Sequence, residues 1–91
     1  MKGAITNPEE IKRFAFTLNQ TVKMVREIRF QLMTKFEELK SYWKDSKNKR
    51  FHEIFISKMR HLDEFLKKGE NLVQYLHHKV EPLERYLQHR Y

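Results

Sequence analysis

Apolar residues recur along this chain on a seven-residue grid, twice, with one polar gap between the two runs. In the first half Ile11, Leu18, Val25, Leu32 and Leu39 form one row. Phe14, Ile28 and Tyr42 lie beside it, and Val22, Phe36 and Trp43 lie on its other side. In the second half Phe55, Leu62, Gly69, Leu76 and Leu83 make one row and Met59, Leu66, Val73, Val80 and Leu87 the next, with Phe51, Phe65, Leu72 and Tyr86 extending it. A strand would need period two, so both halves read as amphipathic helices. The repeat lapses from Lys44 to Arg50, where polar and basic residues take over. The pattern predicts an all-α, two-helix antiparallel hairpin filling a single domain, 1–91. Its first helix covers about 8–43, the turn 44–49 and the second helix about 50–80. A kink or break is expected near Pro82, then a short helical tail at 82–89.

Local signals agree with these boundaries. In Asn7-Pro8-Glu9-Glu10 the asparagine can cap free amides, the proline suits a first helical turn, and the two glutamates face the positive end of the helix dipole. A helix over 8–43 would span roughly 55 Å at 1.5 Å per residue. In the gap, Asp45, Ser46 and Asn48 compete for backbone hydrogen bonds and favour turns or helix starts. Gly69 sits on the seam of the second helix, where it weakens the helix by about 1 kcal/mol relative to Ala but lets backbones approach. Pro82 removes one amide donor and crowds the preceding turn.

The two helices differ in how much apolar surface they carry. The second has one stripe and a polar back of Glu53, Arg60, Lys67, Gln74, Glu81 and Gln88, so it is expected to need little beyond its partner in the hairpin. The first adds Phe16, Phe30 and Met33 off the main stripe, wider than one helix would cover. Those three are the candidates for a dimer interface that would complete a four-helix bundle.

Composition narrows the class further. The 91 residues contain no cysteine, two glycines and two prolines, and 34% of them are charged, as befits long helices rather than sheets. Without cysteine there are no disulfides and no thiolate metal sites. No apolar run approaches the roughly 18 residues of a membrane span, and the N-terminus moves into charged helix without the apolar stretch of a signal peptide. The chain is therefore expected to be cytoplasmic as made. The net charge is +7. It is densest at the turn, where Lys44, Lys47, Lys49 and Arg50 stand against Asp45. Such a patch can track phosphates, though without interleaved aromatics for base stacking it reads first as a solvated turn.

Catalytic chemistry finds no foothold. There is no Gly-rich phosphate loop and no nucleophile elbow, and two helices offer little concavity. His61 shares a face with Glu64, and His77 and His78 with Glu81, but the order is the reverse of the inward Glu-x-x-His pairs of di-iron bundles. No metal site, no cofactor and no enzymatic activity are expected.

Trp43 reads equally as a core aromatic closing the hairpin and as a group for recognising a partner. With Lys44 and Asp45 after it, Phe51 eight positions on and Asn7-Pro8-Glu9-Glu10 at the start, the chain resembles the WXG superfamily (ESAT-like), small helical hairpins handled by type VII secretion. The turn motif is Trp43, Asp45 and Phe51, with Asp45 standing where the family has Gly. The family's export signal, a Tyr followed four residues later by Asp or Glu, is not matched, since Tyr75 leads to Lys79 and Tyr86 to Arg90. The resemblance implies a hairpin acting by protein–protein interaction as a secretion-associated effector, adaptor or structural component. Its partners would be a second copy, a related hairpin or a secretion-machinery protein, with export requiring no signal peptide. The alternative is a small basic helical protein that binds nucleic acid.

Overall fold

The computed structural model describes residues 7–88. Residues 1–6, read above for a signal peptide, lie outside it. So do position 89, the end of the expected tail helix, and Arg90. Two helices, α1 (Pro8–Lys40) and α2 (Ser46–Gln88), run antiparallel as an all-α hairpin. It is a rod of 71 × 22 × 17 Å.

α1 starts as its residues dictate. Asn7 Oδ1 accepts the Glu9 amide at 2.9 Å, Pro8 occupies the first turn, and Glu9 and Glu10 follow. It ends at Lys40, three residues before the expected boundary. The amides of Ser41, Tyr42 and Trp43 turn back to the carbonyls of Glu38 and Leu39 at 2.9–3.1 Å, and Ser41 Oγ donates to the Glu38 carbonyl at 2.7 Å. These short-range bonds close the helix end and release the chain. The turn consequently occupies 41–45 rather than 44–49.

α2 starts at Ser46, earlier than the expected 50. Asp45 Oδ1 accepts the Asn48 amide at 3.0 Å, which makes Asp45 the cap of α2. The break expected near Pro82 does not occur, and α2 is continuous through it. Pro82 lies on an exposed face, so the carbonyl freed one turn earlier, at exposed His78, can be hydrated.

The core is one seam. Ala15, Val22 and Phe36 of α1 meet Met59, Leu66, Val73 and Val80 of α2, and all seven are buried. Val22 meets Gly69 so closely that a Cβ on the glycine would lie 3.0 Å from Val22 Cγ2. At the turn end Phe36 stacks on Phe55 with ring centroids 4.3 Å apart.

This seam is rotated from the one the apolar pattern suggests. The Ile11–Leu39 row lies at its edge, with Leu32 and Leu39 exposed. Basic residues of α1 explain the rotation by reaching acidic residues of α2 across one flank: Lys12 to Glu84 at 2.7 Å, Arg26 to Glu70 at 2.8 Å and Arg29 to Asp63 at 3.0 Å. Each such pair is worth at most about 1 kcal/mol, so they set the rotation more than the stability.

Candidate functional site

The ion-paired flank has a counterpart across the seam, and that counterpart is apolar. On α1 it consists of Phe14, Leu18, Val25, Ile28, Leu32 and Leu39. On α2 it consists of Phe51, Phe65, Leu72 and Tyr86, the row that extends the stripe. Phe14 is 58% exposed and Phe65 67%. Hence α2 is not satisfied by its hairpin partner, contrary to the expectation from its polar back. That back is indeed polar, but the seam buries the Met59–Val80 row, half-buries the Phe55–Leu83 row and leaves Phe51, Phe65, Leu72 and Tyr86 exposed.

Midway along this flank the surface dips into an apolar groove of about 300 Å³, bounded by Leu18, Val25, Phe65, Leu66, Gly69 and Leu72. Gly69 creates it, because its row otherwise carries Phe55, Leu62, Leu76 and Leu83. A smaller groove of about 160 Å³ lies toward the turn, between Leu32, Leu39, Phe51 and Phe55.

The amount of surface left open is large. The accessible area is 7861 Å². A folded monomer of 11.3 kDa is expected to expose roughly 5,700 Å², about 2,100 Å² less. The radius of gyration is 20.5 Å, against about 12 Å for a globular domain of this length.

Phe16, Phe30 and Met33, the residues singled out in the sequence, fall elsewhere. Phe16 and Phe30 are each 65% exposed, and Met33 is half-buried. By helical position Phe16 and Phe30 lie beyond the ion-paired edge of the seam, and Met33 lies on that edge, in the row of Lys12 and Arg26. A groove of about 470 Å³ on the outside of α1 joins Phe30 to Ile28 and Leu32.

The turn motif comes together at the tip. The rings of Trp43 and Phe51 lie 5.5 Å apart, and Phe51 stands 6.1 Å from Phe36 and 6.0 Å from Phe55. Trp43 is half-buried, and its carbonyl accepts a hydrogen bond from Asn48 Nδ2. No described residue has positive φ, so this turn does not require a glycine. Asp45 serves instead through its capping carboxylate. Of the five tip cations, Lys40 pairs with Glu37 at 3.1 Å. Lys44, Lys47, Lys49 and Arg50 are exposed and form no ion pair within the described residues. Three of those four, Lys47, Lys49 and Arg50, lie at the N-terminal start of α2, whose first turn contains no acidic residue. That placement opposes the helix dipole.

The histidines show no convergence. His61, His77 and His78 are exposed, and His52 packs its ring 5.1 Å from Phe36. Among the described residues no group of three metal-ligating side chains forms, and no helix is long and apolar enough to cross a membrane. At the open end of the hairpin the Lys12 ammonium is held above its ordinary range, first by its hydrogen bond to Glu84 and then by that carboxylate's charge.

Comparison with protein-family models, with curated proteins and with solved structures returned no match for this chain.

Sequence reasoning missed the two-helix origin of the open flank. The signal was present in the charges: Lys12 and Arg26 lie on one side of the α1 seam, Glu70 and Glu84 on one side of the α2 seam. Opposite signs at matching heights fix which flank closes.

Proposed function

We propose that this protein is a non-enzymatic assembly module, a WXG-like helical hairpin that acts by binding another helical hairpin. The observation that carries this reading is the open apolar flank. It runs along both helices, includes four exposed aromatics, and a lone hairpin leaves it in water. Patches of this size on soluble proteins mark contact sites. Covering it with a second pair of helices gives a four-helix bundle.

The turn motif supports the WXG-like part of the reading. Trp43 and Phe51 brace the tip against each other, and Asp45 performs by capping what a glycine would perform by flexibility. The role follows as adaptor, effector or structural component of a type VII secretion system.

The test is co-expression with the hairpin proteins and secretion ATPase of a type VII system from the same source. A complex that survives purification and is lost on Leu32→Glu is the expected result. Recovery with nucleic acid instead, released by salt and by replacing Lys47, Lys49 and Arg50 with Gln, would favour the nucleic-acid reading.

A further inference from the structure

The tip of the hairpin is a strongly charged patch that neither the seam nor the open flank accounts for. Residues 40–50 hold five cations against the single carboxylate of Asp45, an excess that makes up more than half of the net +7. The open end, residues 8–17 and 79–88, balances four cations with four carboxylates. Charge is therefore polarised along a rod of 71 × 22 × 17 Å, with one end neutral and the other strongly positive.

The hairpin itself does not offset this excess. Asp45 caps α2, its Oδ1 accepting the Asn48 amide at 3.0 Å. Lys40 pairs with Glu37 at 3.1 Å, while Lys44, Lys47, Lys49 and Arg50 have no ionic partner within the described residues. Three of those four sit at the positive end of the α2 dipole, where cations are unfavourable. The fold gains nothing from this placement, and a counter-charge from outside would relieve it. Beside the cations Tyr42 is 87% exposed, more than any other large apolar or aromatic side chain described.

We propose that the tip docks end-on on a lipid surface rich in anionic headgroups, as a peripheral and reversible contact. The directions of the cations favour a surface over a strand of phosphates. At about 100° per residue, Lys47 and Lys49 project about 160° apart around α2, with Arg50 between them. Lys44 comes from the turn and Lys40 from the end of α1. A phosphate strand passing along one side would meet only part of this ring. A plane across the end of the rod lies within reach of all of it, because long basic side chains can bend toward a headgroup layer. Clusters of roughly four to eight Lys and Arg bind anionic lipid, and an exposed tyrosine suits the level of the headgroups. Among the described residues no helix is long and apolar enough to cross a membrane, so the contact stays at the surface. Tip docking and flank pairing use different side chains, so either can fail without the other.

Trp43 is the sole tryptophan and lies half-buried beside Phe51, so its fluorescence reports on the tip in the unaltered chain. The experiment titrates the full chain with vesicles of phosphatidylcholine alone and of phosphatidylcholine with an equal share of phosphatidylserine, following Trp43 emission and co-sedimentation. Binding to the anionic vesicles only, with a blue shift of Trp43 and weakening as salt is raised, is the expected result. Replacing Lys47, Lys49 and Arg50 together by Gln removes three charges that form no ion pair, so helicity should persist. Affinity should then fall about a hundredfold, at roughly fivefold per cation near an anionic surface. Tyr42→Ala should lower it several-fold, again without loss of helix. Absence of binding, equal binding to both kinds of vesicle, or unchanged affinity in the charge variant overturns the proposal. Loss of vesicle binding on Phe65→Ala would put the apolar flank on the lipid and overturn end-on docking. A parallel titration with single-stranded and duplex DNA at the same salt covers the other polyanion. Tighter binding there than to the anionic vesicles, with the same sensitivity to the charge variant, would assign the tip to nucleic acid and overturn the lipid surface as its partner.

Discussion

At the scale of the residue, Gly69 shows how two effects of one side chain oppose each other. An alanine would gain about 1 kcal/mol of helix propensity. Its Cβ would also press on Val22 Cγ2 at 3.0 Å, and a valine in a helix has little freedom to rotate away. Gly69→Ala is therefore predicted to destabilise by about 1 kcal/mol net. With Val22→Ala in the background it should stabilise by about the same amount, since the obstacle has gone. Chemical denaturation of the four members of the cycle measures the coupling. A Gly69→Ala chain more stable than the parent would mean that the seam can widen without cost. Asp45 gives a second test at this scale. Its carboxylate caps α2, so Asp45→Ala should cost about 1 kcal/mol and Asp45→Gly only a few tenths. An Asp45→Gly chain more stable than the parent would show that the turn depends on backbone freedom rather than on the cap.

At the scale of the element, both helices were legible in the seven-residue grid, and the start of α1 was legible in Asn7, Pro8 and the two glutamates. The other boundaries were not. Ser41 ends α1 early by bonding back to Glu38, and a single serine among charged residues carries no such signal in advance. Asp45 reads equally as a turn residue or as a cap. Pro82 predicts a kink or break, because proline in a helix interior costs about 3 kcal/mol in the general case. Here the affected face is in water and the end of α2 is near. Pro82→Ala is accordingly predicted to raise stability by about 1 kcal/mol rather than three. Thermal unfolding of the variant checks it. A gain near the full value would mean that the continuous helix is strained at this point.

The rotation of the seam was the larger omission, and it has a physical cause. A helical wheel weighted by hydrophobicity points at the largest side chains, Ile11 through Leu39. The helices approach instead along the row of Ala15, Val22 and Phe36, with a close contact where Val22 meets Gly69. The three cross-helix ion pairs then hold that rotation. Large side chains on the other flank are the residue of this choice.

At the scale of the whole molecule, the seven buried side chains of the seam make a small core for a rod 71 Å long, and the open flank offers the surface to enlarge it. The central claim is that this flank, and not the Phe16–Phe30 side of α1, is where the chain is covered. Sedimentation equilibrium across a hundredfold concentration range, on the parent chain, Leu32→Glu and Phe16→Glu, tests it directly. The account predicts a dimer for the parent and for Phe16→Glu, and a monomer for Leu32→Glu, because burying a charge in an apolar interface forfeits the contact. A Leu32→Glu chain that remains dimeric while Phe16→Glu falls apart would contradict the account.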